Sequence, residues 1–141
     1  FIDSIFISQL ISDAKIYGSA VPVISLKNAL RRSEVKSSVS NLTITNSINR
    51  LHYKTAQTPQ VFKFHLIEKS YEKLYHLIFK DGNNASILSN IFDDASVYEH
   101  FKTPKEPKIN EVPGREYNIK ITTPMDYYIA PHIYDFFKNI K

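Results

Sequence analysis

The stretch Asn118-Ile119-Lys120-Ile121-Thr122-Thr123-Pro124-Met125-Asp126 constrains the fold more than any other part of this chain. Ile119 and Ile121 alternate with Asn118, Lys120 and Thr122, the period of a half-buried strand. The alternation stops where a helix start is spelled out. Thr123 stands at the cap, Pro124 in the first turn, and Asp126 where it closes a capping box. Lys120 sits at this junction, close to a helix N-terminus whose backbone N–H groups favour anions, so the local physics predicts a phosphate or carboxylate site.

Strand and helix patterns alternate along the rest of the chain. Residues 8–17 read as a short helix, with Ser8 as cap, Leu10, Ile11 and Ala14 on one face, and Gly18 as terminator. Ala20 to Ile24 is an apolar run of strand length, expected to be buried on both faces. From Leu26 to Ser40 the chain is polar and basic and ends in Ser37-Ser38-Val39-Ser40; Leu42-Thr43-Ile44-Thr45 then alternates again. Together these predict a projecting hairpin. Gln57 to Phe62 reads as a strand or strand edge interrupted by Pro59. Phe64, Ile67, Tyr71, Leu74 and Ile78 keep helical spacing up to Asp81-Gly82-Asn83-Asn84, and Asp93 is placed to cap a turn containing Ala95, Val97 and Tyr98. After a Pro/Lys loop over 103–107, Ile109 to Val112 predicts a strand and Pro113-Gly114 a turn. Pro131 should kink or end the last helix. This pattern predicts an α/β layer structure with a mainly parallel or mixed sheet, built from about three helices and four or five strands. That is thin for a complete doubly wound domain.

At 141 residues the chain amounts to one domain or less, and 43% hydrophobic residues suffice for a packed core. No apolar run approaches the ~20 residues of a membrane span, and there is no secretory pattern; the expectation is no membrane association and a cytoplasmic location. Cysteine is absent, which excludes disulfides, thiolate metal sites and cysteine nucleophiles. The glycines, Gly18, Gly82 and Gly114, lie far apart in sequence, so no phosphate-cradling glycine-rich loop can be built from them. The net charge of +4 is unevenly spread: residues 1–60 carry seven Lys/Arg against three Asp/Glu, while 61–141 carry eleven of each. The excess, at Lys27, Arg31, Arg32, Lys36, Arg50 and Lys54, suits a phosphorylated ligand, nucleic acid, an acidic subunit face or simply water.

The five histidines show no ligand spacing, and no Gly-x-Ser-x-Gly is present. Asp93-Asp94 are adjacent carboxylates that diverge on a helix, so a cap is the better reading than an acid/base pair. Ala56-Gln57-Thr58-Pro59-Gln60-Val61-Phe62 is less ordinary. Pro59 fixes the backbone either so that Gln57 and Thr58 face a cleft, or as a bulged edge whose polar groups satisfy a neighbouring loop.

Four segments in order, Gly18-Ser19-Ala20-Val21-Pro22-Val23, 56–62, Asp93-Asp94-Ala95-Ser96 and 118–126, together resemble the C-terminal half of the 2-C-methyl-D-erythritol 4-phosphate cytidylyltransferases. The resemblance covers roughly Ser8 to Ala130. It implies the C-terminal part of a Rossmann-like nucleotidyltransferase domain, with residues 27–55 as a protruding β-arm through which two subunits form a homodimer. It also implies a Mg2+-dependent transfer of CMP from CTP to methylerythritol phosphate in non-mevalonate isoprenoid biosynthesis. Arg50 matches the arm arginine that holds the substrate phosphate across the dimer, Lys120 the lysine that positions this substrate, and Thr58 the substrate-side threonine. Asp3 is the candidate metal ligand. Nucleic acid is not an expected partner, since the arm accounts for the basic residues.

The departures from the family pattern matter as much. The family's glycine-rich CTP loop lies before the point where this chain starts, and Asp3-Ser4-Ile5-Phe6-Ile7-Ser8 is shorter than the matching metal-binding segment and lacks its arginine and proline. Asn28-Ala29 stands in place of Asp-Thr, and Phe92 in place of a substrate-binding threonine. The expectation is therefore a chain that is inactive alone, or that works with a separately encoded N-terminal half. The alternatives are a non-catalytic dimerising or anion-binding remnant, and part of a ribitol-phosphate cytidylyltransferase.

Overall fold

The computed structural model describes residues 1–35, 42–80 and 85–139. Its first helix, α1 (Ser4–Tyr17), begins a turn earlier than the expected start at Ser8. The reason is the cap: the Asp3 carboxylate accepts the Phe6 N–H at 2.8 Å. That lets Phe6 join Leu10 and Ala14 in one buried stripe, while Ile11 stays exposed. Gly18 ends the helix as expected, in the left-handed region at φ 94°, and its N–H returns to the Ala14 carbonyl.

The chain then enters β1 (Ser19–Ser25), the strand on which the main sheet is built. Ser19 to Pro22 are buried, and Val23 and Ile24 half-buried. β4 (Lys54–Ala56) pairs antiparallel with the far end of β1, β5 (Val61–Phe62) antiparallel with its beginning, and β6 (Glu111–Pro113) runs parallel to it. The sheet is thus mixed. The Pro22 carbonyl accepts from Gln57 N–H and the Val23 carbonyl from Gly114 N–H, both at 2.8 Å. Successive carbonyls of a strand point to opposite edges, so residues 56–62 and β6 flank β1 on opposite sides. Phe6, Leu10 and Ala14 close over Ala20, Val112 and Val61 to make the core; a leucine as buried as Leu10 typically costs roughly 2–5 kcal/mol to truncate to alanine.

On the other side of the break at 57–60 the chain forms α2 (Phe64–Lys80), which packs on α4 (Asp94–Phe101). The face of α2 turned inward is Leu66, Ser70 and Leu74; Phe64, Tyr71 and Ile78, expected in the core stripe, are exposed. A serine in the packed row hides that row from a hydrophobicity pattern. Its hydroxyl donates to the Leu66 carbonyl at 3.0 Å, so the buried polar group is satisfied. The Asp81-Gly82-Asn83-Asn84 helix end and the Ser37-Ser38-Val39-Ser40 turn lie outside the described residues.

The predicted hairpin is present in its strands. β2 (Leu30–Val35) and β3 (Leu42–Ile48) pair antiparallel as a separate two-stranded sheet, with a register irregularity at Arg32/Ser33. A 3-10 turn over Arg50–His52 returns the chain to β4. The short α3 (Ala85–Leu88) precedes α4, and α5 (Pro124–Asn139) ends the described chain. Helix α5 runs through Pro131 instead of stopping there. Most of its side chains are exposed, and on such a helix water can serve the carbonyl that a proline leaves without a donor.

The strand expected over 118–122 does not form; these residues belong to no ladder. Instead the Asn118 and Ile119 N–H groups turn back to the Arg115 and Tyr117 carbonyls, while side chains take the Asn118 carbonyl and the Thr122 N–H. Asn118, not an isoleucine, is the buried residue of the stretch, and Ile121 is exposed.

Candidate functional site

Parallel strands place ligand sites in the crevice beyond their carboxyl ends. In this chain β1 and β6 both end at a groove of about 350 Å³. One wall is the segment after β4, with Gln57, Thr58 and Gln60; the other is the loop after β6, with Glu116, Asn118, Ile119 and Lys120. Asp93, at the start of α4, closes one end. A second cleft of about 850 Å³ lies on the outer face of α2, lined largely by aromatic residues such as Phe62, Phe64 and Tyr75. It carries no lysine or arginine, so the smaller groove is the better site for an anion.

The first wall is irregular because two residues slip between β4 and β5, where the Thr58–Pro59 peptide is cis. The two sequence readings of this segment divide between its residues. Gln57 satisfies a neighbouring loop: its amide donates to the Arg115 carbonyl at 2.8 Å and the Asn118 carbonyl at 3.0 Å, and accepts the Arg115 N–H at 3.0 Å. Thr58 lines the groove. Among the described residues its hydroxyl and the Lys120 amine make no hydrogen bond or ion pair, which leaves both available to a ligand.

Asn118 spans the two walls. Its side-chain amide donates to the Thr58 carbonyl at 2.7 Å, and its oxygen accepts from the Phe1 amino terminus at 3.0 Å. Gln60 does the same at the closed end. It donates to the Asp93 carboxylate at 2.7 Å and accepts the Ala95 N–H at 2.9 Å. Burial pushes the Asp93 carboxyl up, but hydrogen bonds from Gln60 and from Ser96 outweigh it and hold the group below the ordinary carboxylate value. The groove therefore presents two carboxylates, Asp93 and the Lys27-paired Glu116, and the ammonium group of Lys120.

The helix start read as an anion site is filled by the chain itself. The Asp126 carboxylate accepts the Thr122 N–H at 3.0 Å and the Thr123 N–H at 2.7 Å, while Asp126 N–H donates to the Thr123 hydroxyl at 3.2 Å. The capping box is thus present, and it uses backbone donors that the sequence offered to a ligand. Lys120 alone remains for a foreign anion.

Arg50 and Asp3 lie apart from the residues lining this groove. Arg50, in its 3-10 turn, donates to the Lys27 carbonyl. Lys27 in turn pairs with Glu116 at 2.5 Å, which ties the hairpin base to the groove wall through two exposed side chains. Asp3 caps α1 with one oxygen and pairs with Arg115 at 2.9 Å through the other. Among the described residues no group of three or more His, Cys, Asp or Glu could hold a metal ion. Mg2+ is commonly held by one or two carboxylates together with substrate phosphates, and Asp3, the candidate ligand, has its oxygens committed to the Phe6 N–H and to Arg115. No described helix is long and apolar enough to cross a membrane. Gln57 is marked in the sequence by its place beside Thr58-Pro59, whereas no sequence pattern marks Gln60, Asn118 or Arg115 individually as site residues.

Residues 1–135 match the family model of 2-C-methyl-D-erythritol 4-phosphate cytidylyltransferase, IspD. A protein of that name from Clostridium botulinum is 32% identical over 133 residues, covering 94% of this chain and 51% of the relative. One from Bacteroides fragilis is 32% identical over 130 residues, covering 92% of this chain and 49% of the relative. Among solved structures, the Thermus thermophilus cytidylyltransferase superposes with a TM-score of 0.71 at 21% identity, covering 96% of this chain and 57% of that one. The 4-diphosphocytidyl-2C-methyl-D-erythritol synthase of Anaerococcus prevotii gives 0.71 at 24% identity, covering 96% and 54%. The mixed α/β fold thus corresponds to part of those structures. The chain spans about half the length of the curated relatives it matches.

Proposed function

The chain belongs to the 2-C-methyl-D-erythritol 4-phosphate cytidylyltransferase family, and on that premise we propose that it is the substrate-binding and dimerising half of such an enzyme, the C-terminal part of its Rossmann-like domain. The observation that carries this reading is the groove beyond β1 and β6, lined by an unpaired ammonium group and an unpaired hydroxyl. Lys120 supplies the cation for the phosphate of methylerythritol phosphate, and Thr58 a hydrogen bond beside it. The ionised Asp93 repels the phosphate and accepts a polyol hydroxyl, so the substrate has one favoured direction in the groove. Holding a nucleophilic phosphate in one place is the contribution these residues make to transfer; they form no covalent bond to substrate.

Arg50 lies outside the groove of its own chain, at the base of the β2–β3 hairpin. This position suits a role in the groove of a second copy, with residues 27–55 as the dimerising arm. CTP and Mg2+ are the other participants in the family's reaction, and Asp3, the candidate metal ligand, is committed to the α1 cap and to Arg115. The chain alone is expected to release no pyrophosphate from CTP and methylerythritol phosphate.

The test is calorimetry of the purified chain with 2-C-methyl-D-erythritol 4-phosphate. Binding should weaken at least about tenfold in Lys120→Ala, the loss expected for one charge-assisted contact to phosphate. Tighter binding of ribitol 5-phosphate would move the chain to the ribitol branch. A second reading, a dimerising remnant without a working site, draws on Phe92 and Asn28-Ala29 in place of family hydroxyls and on the commitment of Asp3 to Arg115. Absence of any binding by the wild-type chain would favour it.

A further inference from the structure

The two walls of the groove belong to segments far apart in sequence, and their spacing is set largely by one uncharged side chain. The Gln57 amide makes three hydrogen bonds to the loop after β6, two given to the Arg115 and Asn118 carbonyls and one taken from Arg115 N–H. It uses both of its donors, and its oxygen accepts one bond. Two residues past the far anchor stands Lys120; immediately after Gln57 stands Thr58. Asn118 adds a return bond to the Thr58 carbonyl at 2.7 Å, so the loop is tied to two consecutive residues of the facing wall.

Gly114 makes this approach possible. A Cβ at that position would run into the Gln57 side-chain oxygen and stand 2.9 Å from the Val23 carbonyl oxygen. A side chain larger than hydrogen would force the glutamine off the loop it holds. The glutamine and the glycine thus fit one another. The glycine has a role here that is not a turn conformation.

We infer that Gln57, seated against Gly114, is a positioning residue that holds the 115–120 loop so that Lys120 stands opposite Thr58. It touches no substrate; it acts through the loop. The inference rests on the reading of the groove as a phosphate site only for its effect on binding, not for its effect on the loop. A displacement of the loop by as little as an ångström is enough to spoil a positioned ammonium–phosphate contact.

The experiment compares the wild-type chain with Gln57→Ala and Gln57→Glu by two measurements: hydrogen exchange of the amides over 115–120, and calorimetry with 2-C-methyl-D-erythritol 4-phosphate across pH. Gln57→Ala should speed exchange over 115–120 about tenfold or more, leave the β1 and α1 amides unchanged, and weaken binding about tenfold. Gln57→Glu is the discriminating variant. As a carboxylate it opposes two carbonyls; protonated, it can donate to one of them and still accept from Arg115 N–H. Its affinity relative to wild type at the same pH should therefore recover as pH falls through about 4–5. A carboxylate that only repelled the phosphate would also regain affinity on protonation, but without slowing exchange over 115–120 relative to wild type, so the exchange ratio must recover together with the affinity. Unchanged exchange over 115–120 in Gln57→Ala, or a flat Gln57→Glu ratio in a chain that binds, would overturn the inference. A wild-type chain that binds nothing would sink the phosphate-site reading instead, and the exchange result would still decide whether Gln57 is the clamp.

Discussion

Helices α4 and α5 begin with the same two groups in opposite order. At α4 the carboxylate is the cap, Asp93, and the hydroxyl lies three residues on at Ser96. At α5 the hydroxyl is the cap, Thr123, and the carboxylate lies three residues on at Asp126. Both boxes close, with Ser96 N–H to Asp93 at 2.9 Å and Thr123 N–H to Asp126 at 2.7 Å. What differs is the use of the second carboxylate oxygen's environment. Asp93 gives one oxygen to its helix and the other to Gln60, thirty-three residues away in sequence, at 2.7 Å. Asp126 takes all its partners from Thr122 and Thr123, its own chain neighbours. One cap is part of the tertiary structure and of the groove; the other is a local device at the surface.

The sharpest test of that contrast is removal of each carboxylate. Asp93→Ala should lose about 2 kcal/mol in urea unfolding, the upper end for a lost cap, because the Gln60 amide is also left without its acceptor. Asp126→Ala should cost clearly less, since its partners are exposed and water replaces the carboxylate. A double-mutant cycle of Asp93→Ala with Gln60→Ala should show a coupling of about 1 kcal/mol. Equal losses for the two aspartates, with no coupling to Gln60, would break the comparison.

The same contrast separates what could be read from the sequence from what could not. Both helix starts were legible because a cap is a local pattern: Asp93 as a cap, though not its box with Ser96, and Thr123, Pro124 and Asp126 as a full box. Gly18 as terminator and the β2–β3 hairpin were legible on the same terms, by local chemistry. The strand over 118–122 was misread because its alternation is real but the Asn118 carbonyl that would start its ladder is taken by Gln57, a partner no local pattern names. The buried face of α2 was misread because Ser70 hides in it, satisfied by a bond to Leu66. Thr58 and Lys120 were legible through resemblance, and the structure does bring them to one groove. Of their supports, Gln57 was legible only as one of two open readings of its segment, and Gln60 and Asn118 were not, because they act through distant carbonyls and amides.

Acid titration sharpens the comparison further. Both carboxyls are held below the ordinary value of 3.8: Asp93 by bonds from Gln60 and Ser96 that outweigh burial, Asp126 chiefly by the Thr122 N–H and then by Thr123. A depressed carboxyl contributes stability that is full above its unfolded value and is lost as pH falls through the folded one. Wild-type stability should therefore fall as pH drops below about 4, with nothing lost from these groups between pH 5 and 7. Asp93→Asn and Asp126→Asn should each flatten that acid limb. Unfolding measured in urea from pH 2 to 6 checks both, and an acid limb left unchanged by either substitution would remove that carboxyl from the account.

The smallest effect belongs to the hydroxyl half of the exposed box. Thr123→Ala removes the acceptor for Asp126 N–H at 3.2 Å, a long bond in water. The three bonds into the Asp126 carboxylate from Thr122 N–H, Thr122 hydroxyl and Thr123 N–H all survive the change. The expected cost is about 0.5 kcal/mol, the low end for a lost cap, seen as faster hydrogen exchange in the first turn of α5 and nowhere in α4. If exchange also quickened at Ala95 or Ser96, the two helix starts would be coupled through the groove, and the α5 cap would belong to the site after all.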